Sequence, residues 1–268
     1  MFNMLRMDLR RLFKTRSFYI ILGVTAGLIL MVVLLTAVVS DPETLDDMSA
    51  RGAEIDEIDR RMSEEIRNMT QLDLAYETLG SGFLLIITGI GVTLFVSGDF
   101  TSGFVKNICC VKPRRADYVL SKALAAGVYS GIITLLGTLM ILLAPYLYGM
   151  RPVPNTIPDI LRYTFWMWLP HWAFALMALA LVLLTRSTTL GIILSLVAGG
   201  GLTALMVGTL GKLLHWPPLD PYFLSSVVKG VYAPRSGVTQ TGVILACTLA
   251  WAAVYGMGSL LAMEKRDI

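Results

Sequence analysis

The run from Phe18 to Val39 reads FYIILGVTAGLILMVVLLTAVV and contains 22 residues without a charge. A helix needs about 20 predominantly apolar residues to cross the hydrocarbon core of a bilayer. Because that core holds no water to satisfy exposed backbone groups, a run of this length is expected to cross it as a helix. This stretch therefore predicts an integral membrane protein.

Five further runs without Lys, Arg, Asp or Glu follow along the chain. The six predicted spans cover about residues 18–39, 80–98, 123–148, 163–185, 188–211 and 238–263. The composition agrees, since 55% of the 268 residues are hydrophobic, 15% are charged and the mean hydropathy is +0.68. A water-soluble fold with so few charges would expose a large apolar surface. The sequence predicts an all-α membrane protein with six transmembrane helices.

Basic residues are concentrated in alternate segments. The segments on the side of both termini carry 13 of the 22 Lys and Arg residues with five acidic residues, whereas the opposite segments carry nine with fourteen. Because Lys- and Arg-rich loops stay in the cytoplasm, both termini are expected to be cytoplasmic. The first span is expected to remain uncleaved, since it is longer than the apolar part of a signal peptide and no A-x-A site follows it.

Two segments outside the spans show helical periodicity. Residues 1–17 place apolar side chains on one face and basic ones mainly on the other, which indicates an amphipathic interfacial helix. That helix either only anchors on anionic lipid or also contacts a cytoplasmic partner. Residues 40–79 carry twelve acidic residues and an apolar stripe from Ile55 to Met69. They predict an extracytoplasmic helix whose stripe packs on the same chain or a symmetry mate, while its acidic face is solvated or meets cationic ligands.

The loop after the second span, residues 99–117, carries the most specific pattern. Asp99 is predicted to cap a short helix, and Pro113 is predicted to end it. The apolar side chains of that helix are Phe104, Val105 and Ile108. Basic residues then lead into the third span. Contact with lipid phosphates would account for these charges but does not require their order.

This order resembles the ABC-2 type permease family, in particular the six-helix permeases of bacitracin and lantibiotic immunity. The positions that match are Asp99, Gly103, Phe104 to Ile108, Arg114 or Arg115, Tyr118 and Lys122. The similarity extends to the amphipathic start and the six spans, so that residues 1–268 would form a single transmembrane domain. Two departures are Asp rather than the commoner Glu at position 99, and Cys109-Cys110 where a polar or leucine pair is usual.

The resemblance implies that a separate cytoplasmic ATPase, present in two copies, docks on this loop and on the amphipathic start. Phe104, Val105 and Ile108 would form an apolar knob that contacts the ATPase, and Asp99 would cap the helix that carries them. Arg115 and Lys122 would make polar contacts, and Gly103 belongs to the same set of coupling residues. ATP and Mg²⁺ would bind the partner. This chain would bind no cofactor and would not itself be an enzyme.

The resemblance also implies a second permease copy, in a homodimer or a heterodimer, that meets the first near spans one and five. Small residues spaced four apart allow close helix approach in a bilayer. They occur in these spans at Gly23 and Gly27, and at Gly200, Ala204 and Gly208. Simple packing within one chain would use the same faces equally well.

The sequence holds few candidates for chemistry of its own. Residues 208–213 lack the spacing of a phosphate-binding loop, and neither H-E-x-x-H nor G-x-S-x-G occurs. Three cysteines without a C-x-x-C pair predict no metal site. His171, in the fourth span, is either a polar residue of a pathway or a neutral histidine bonded to a neighbouring helix. Residues 215–224, which contain three prolines, predict an interfacial or re-entrant lid.

The leading hypothesis is a multi-pass permease of the bacterial plasma membrane that exports an amphipathic or hydrophobic compound, such as an antimicrobial peptide or a drug. Two alternatives remain open, an ATP-independent secondary transporter or channel and a non-transporting scaffold or sensor subunit. Spans without buried acids argue against a dedicated ion path, and the sequence shows no inverted repeat. No nucleic-acid partner is expected.

Overall fold

The computed structural model describes residues 2–105, 115–231 and 238–265. The first half contains α1 Phe2–Lys14, α2 Arg16–Ser40, α3 Pro42–Ala50, α4 Glu57–Arg67, α5 Gln71–Leu79 and α6 Phe83–Thr101. The second half contains α7 Arg115–Leu147, α8 Ile157–Thr185, α9 Thr188–Gly199, α10 Leu202–Leu214, the 3-10 helix Asp220–Tyr222, α11 Leu224–Gly230 and α12 Val238–Lys265. Within the described ranges there is no strand, only an isolated bridge between Thr70 and Val153.

Five helices, α2, α6, α7, α8 and α12, are long and apolar enough to cross a membrane. The pair α9 and α10 adds a sixth span when its two parts are taken together, with a bend of 57° between them. The chain is therefore an all-α, multi-pass membrane protein. Two of the helices begin before the predicted spans, α7 at Arg115 where the span was predicted from about residue 123, and α8 at Ile157 where it was predicted from residue 163.

The prediction of a continuous fifth span is wrong. The helix breaks at Gly200 and Gly201, where Gly201 has a φ of +80°. Such a φ is favourable for glycine and strained for other residues, and consecutive glycines also weaken a helix. Gly200, Ala204 and Gly208 consequently do not form one helical face. Gly200 lies at the break, whereas Ala204 is buried and Gly208 packs against Asp220 within the chain.

Residues 40–79, predicted as an extracytoplasmic helical segment, form three short helices, α3, α4 and α5. Helix α4 begins at a capping box, in which the Asp56 side chain accepts from the backbone N–H of Asp59 and the Asp59 side chain accepts from that of Asp56. The apolar stripe does not pack on the same chain at Ile58 and Met62, which are 65% and 48% exposed.

Helix α8 forms the centre of the bundle. It packs against α6, α7, α9 and α12, and 72% of its apolar 18-residue stretch is buried. By contrast, only 22% of the corresponding 18-residue stretch of α2 is buried, and only 17% of that of α12. These two helices therefore lie at the periphery and present aliphatic side chains to the surroundings, as lipid-facing helices do.

Candidate functional site

Four charged residues meet where α1, the end of α6 and the start of α7 come together. The Nζ of Lys122 lies 2.7 Å from Oδ1 of Asp8 and 2.7 Å from Oδ2 of Asp99. The Nη2 of Arg11 lies 2.8 Å from Oδ1 of Asp99. We call Asp8, Arg11, Asp99 and Lys122 the charge cluster. Its two acids and two bases balance.

Asp8, Asp99 and Lys122 of the charge cluster are buried, whereas the Arg11 side chain is 35% exposed, and hydroxyl groups support the cluster further. Asp99 and Lys122 are 0% exposed and Asp8 is 1% exposed. The Tyr118 hydroxyl donates to Oδ2 of Asp99 at 3.0 Å, and Oγ of Ser121 donates to Oδ2 of Asp8 at 2.5 Å. Because an isolated buried charge costs several kcal/mol, such groups are stable inside a protein only when paired and hydrogen-bonded. The cluster therefore holds α1, the end of α6 and the start of α7 together as a unit.

Helical spacing explains how these residues reach the same place. Met4, Asp8 and Leu12 are four residues apart and all are buried, so they lie on one face of α1. Tyr118 and Lys122 have the same spacing on α7. Sequence analysis missed Asp8. The available signal was that the only acid of residues 1–17 lies on the apolar face of that amphipathic helix.

The predicted role of Asp99 as a helix cap is wrong. Asp99 lies inside α6, which continues to Thr101, and its carboxylate is engaged by Lys122, Arg11 and Tyr118. The second span was predicted to end at Gly98 because a charge follows. The ion pair with Lys122 neutralises that charge, which lets the helix continue.

The structure divides the predicted apolar knob. Val105 is 1% exposed and therefore faces inward. Phe104 is partly exposed, and the Arg11 guanidinium carbon lies 4.1 Å from the centre of its ring. Gly103, directly before it, has a φ of +68°. Ile108 lies outside the described residues. Phe104 is thus the described knob residue that remains accessible.

The remaining predicted site residues lie apart from the charge cluster. Arg115 donates from Nη1 to the Met263 carbonyl at 2.9 Å, which links the start of α7 to the end of α12. His171 is fully buried, and its Nδ1 lies 2.7 Å from the Met167 carbonyl of its own helix. Among the described residues, Nε2 of His171 has no hydrogen-bond partner, so the bond expected to a neighbouring helix is not found there.

Gly23 and Gly27 lie on an exposed face of α2. Among the described residues, no atom lies within 4 Å of the position that a Cβ would take at either glycine. This face is therefore not used for packing within the described part of the chain.

Two cavities open on opposite ends of the bundle. One, of about 510 Å³, lies between the end of α2, the α3 and α4 helices and the connection between α7 and α8, with Arg67, Arg151 and Asp41 among its lining residues. The other, of about 200 Å³, adjoins the charge cluster between the α1–α2 junction, α6 and α7. In the part of the chain that the structure describes, no group of three or more His, Cys, Asp or Glu side chains is placed to hold a metal ion.

No protein-family model and no curated protein matches this chain. The resemblance to ABC-2 permeases therefore rests on the residues of the chain itself, and above all on the loop between α6 and α7.

Proposed function

We propose that the chain is the membrane-spanning permease subunit of an ABC-2 type transporter. It couples ATP hydrolysis in a separate cytoplasmic ATPase to export of an amphipathic or hydrophobic compound. Both termini and residues 99–117 lie in the cytoplasm, and residues 40–79 lie outside. The observation that carries this proposal is the charge cluster, because it ties the amphipathic α1 to both helices that flank the loop marked by the resemblance.

A docked ATPase can bias a permease only through surfaces that it contacts differently in its two states. The loop between α6 and α7 follows Asp99 closely and leads within about two helical turns to Lys122. Pulling these helix ends away from α1 would separate Lys122 from Asp8 and leave buried charges unpaired, which is strongly unfavourable. Movement of the loop therefore carries α1 and the ends of α6 and α7 together.

A second set of contacts extends this coupling to the centre of the bundle. Arg115, at the start of α7, bonds to the Met263 carbonyl near the end of α12. Helix α12 in turn packs along α8, the most buried helix. The loop is thus joined to the central helix through contiguous contacts, which is the kind of connection that mechanical coupling requires.

The expected assembly contains two copies of the ATPase, which bind ATP and Mg²⁺, and a second permease copy. The exposed Gly23 and Gly27 face of α2 suits a close contact with that copy. The accessible Phe104 ring, placed beside Arg11 at the loop, suits an apolar contact with the ATPase.

The proposal is tested by purifying the tagged chain from the membranes of its host. We expect an ATP-hydrolysing protein to co-purify, and we expect Phe104→Asp to reduce its amount at least about tenfold, since a charge replaces an apolar contact. Ile157→Asp is the matched control, because Ile157 is an exposed apolar residue that begins α8. Both variants must elute as folded protein.

Absence of any ATP-hydrolysing partner would contradict the proposal. Transport by the purified chain in vesicles without nucleotide would then favour a secondary carrier, and absence of transport would favour a scaffold or sensor. Equal co-purification of the ATPase with Phe104→Asp and Ile157→Asp would remove Phe104 from the docking surface.

A further inference from the structure

The cavity of about 200 Å³ beside the charge cluster combines an apolar wall with polar groups. Phe18 and Ile21 of α2 and Leu94 of α6 supply aliphatic and aromatic surface. Arg11 of α1 and Tyr129 of α7 supply hydrogen-bond donors. The cavity therefore suits an amphipathic group rather than a purely apolar one.

One donor atom of each residue, Nη1 of Arg11 and the Tyr129 hydroxyl, is buried without a partner in the described part of the chain. The Tyr129 side chain is 2% exposed, and among the described residues neither its hydroxyl nor Nη1 of Arg11 has a hydrogen-bond partner. The other amino group of Arg11, Nη2, faces Asp99. Buried polar groups are nearly always hydrogen-bonded, because leaving them unpaired costs free energy. Two unpaired donors that line one cavity indicate a ligand with oxygen acceptors.

The sequence makes room for the Tyr129 hydroxyl. A Cβ at Gly91 would overlap that hydroxyl, so the absence of a side chain on α6 permits its position. The Tyr129 hydroxyl therefore lies beside Gly91 in the cavity wall, and no acceptor among the described residues takes its hydrogen bond.

The size of the cavity limits what it holds. At about 30 Å³ per water molecule, it has the volume of about seven waters. Pockets for drug-sized molecules begin at about 300 Å³. The cavity therefore suits a small polar head group and not a whole amphipathic cargo.

The surrounding charge favours an anion. The nearest acids, Asp8 and Asp99, are neutralised by Lys122 together with Arg11. Exposed basic residues of α1 and α2, Arg10, Lys14 and Arg16, lie close in sequence to the cavity lining. Phe18, Ile21 and Leu94 of the cavity wall supply apolar surface beside the two donors, which suits the start of acyl chains.

We propose that this cavity binds the phosphate group of a membrane phospholipid. The phosphate oxygens accept hydrogen bonds from Nη1 of Arg11 and from the Tyr129 hydroxyl, and the start of the acyl chains contacts the apolar wall of the cavity. The shared chemistry is a phosphate group, which free inorganic phosphate also offers. The site goes beyond the proposed function, because it requires neither an ATPase nor transport.

The test uses the full chain, delipidated in detergent, and measures its thermal unfolding during titration. The probes are dihexanoylphosphatidylglycerol, dihexanoylglycerol as the same chains without phosphate, and inorganic phosphate. We expect saturable stabilisation by the phospholipid and none by dihexanoylglycerol. Tyr129→Phe should weaken phospholipid binding at least about tenfold, because one hydrogen bond to a charged group is lost. Tyr255→Phe, which changes a tyrosine of α12 outside the cavity, should leave binding unchanged.

A second variant fills the cavity without removing a donor. No described atom lies within 4 Å of a Cβ placed at Gly98, which lines the cavity, so Gly98→Leu should fold and abolish binding. Gly256→Leu is its matched control on α12, where the same space is free. If inorganic phosphate binds as tightly as the phospholipid and both variants weaken its binding equally, the cavity is a phosphate site whose ligand is free phosphate and not a lipid. Binding that neither variant changes, or no saturable stabilisation by either phosphate probe, would overturn the proposal and leave a cavity filled with water.

Discussion

Lys122 is one ammonium group between two carboxylates, and no solvent reaches it. Replacing a complete buried ion pair by apolar groups is often tolerated, whereas removing one partner leaves an unpaired charge. The energetic importance of Lys122 therefore depends on Asp8 and Asp99 remaining charged beside it. This dependence is measurable, because single and double variants should differ in a characteristic order.

We expect Lys122→Met to destabilise the protein by about 3–5 kcal/mol, because it leaves Asp8 without its cationic partner and weakens the neutralisation of Asp99. The double variant Asp8→Asn/Lys122→Met should recover at least half of that loss, since Asp99 keeps Arg11. Thermal unfolding of the detergent-solubilised protein measures both. Lys229→Met, a change at an exposed lysine of α11, is the control and should have little effect. A double variant less stable than the single one would contradict the assigned pairing.

The charge cluster also shows which residues of a site a sequence can reveal. Asp99 and Lys122 stand out because they flank one loop and follow a recognisable order. Asp8 is 114 residues away from Lys122 in the chain, and no local pattern states that the two pair. The available signal was physical, an acid on the apolar face of a basic amphipathic helix, which calls for a buried cation.

At the scale of helices, α7 and α8 are joined by two tryptophans. The indole N–H groups of Trp168 and Trp172 donate to the carbonyls of Gly127 and Ala123, both at 2.9 Å, and their rings stack with centroids 5.4 Å apart. A Cβ at Gly127 would lie 2.7 Å from Nε1 of Trp172. The helices approach this closely because Gly127 has no side chain.

Gly127→Val should therefore force the two helices apart and destabilise the protein by about 1–3 kcal/mol, the usual cost of overpacking. Gly258→Val on α12 meets no described atom within 4 Å and serves as the matched control. Differential scanning fluorimetry of both variants in the same detergent gives the comparison. Similar melting temperatures for the two would show that the Trp172 ring yields without cost.

The prediction of helices succeeded and failed for separate physical reasons. The apolar run in α2 is local and long enough to identify a span by itself. The break between α9 and α10 carries almost no hydropathy signal, because glycines in an apolar run hardly change its average. The run Gly199-Gly200-Gly201 was the available indication, and its meaning depends on the close approach of the Gly199 carbonyl to Gly82, which is tertiary.

At the scale of the whole molecule, the exposed glycine face of α2 is available to a second copy. We expect Gly23→Ile combined with Gly27→Ile to weaken dimerisation at least about tenfold, because bulky side chains prevent close helix approach. Light scattering coupled to size-exclusion chromatography measures the dimer fraction. Gly256→Ile on α12, the other peripheral helix, should leave it unchanged. Disruption by the α12 variant alone would place the interface there.

The orientation of the bundle decides whether a cytoplasmic ATPase can reach the loop between α6 and α7. The distribution of Lys and Arg predicts that this loop faces the cytoplasm and that α3 faces outward. In a variant with Cys109, Cys110 and Cys247 replaced by serine, Ser49→Cys on α3 and Ser102→Cys after α6 provide two exposed positions.

An impermeant maleimide should label the Ser49→Cys variant in intact cells, and it should label the Ser102→Cys variant only after the cells are permeabilised. The permeabilised sample also shows that both thiols react. The reverse pattern would place the loop where no ATPase is found and would contradict the proposed transporter. The charge cluster and the phosphate cavity would remain, because both depend on contacts among α1, α2, α6 and α7 and not on which side of the membrane those contacts face.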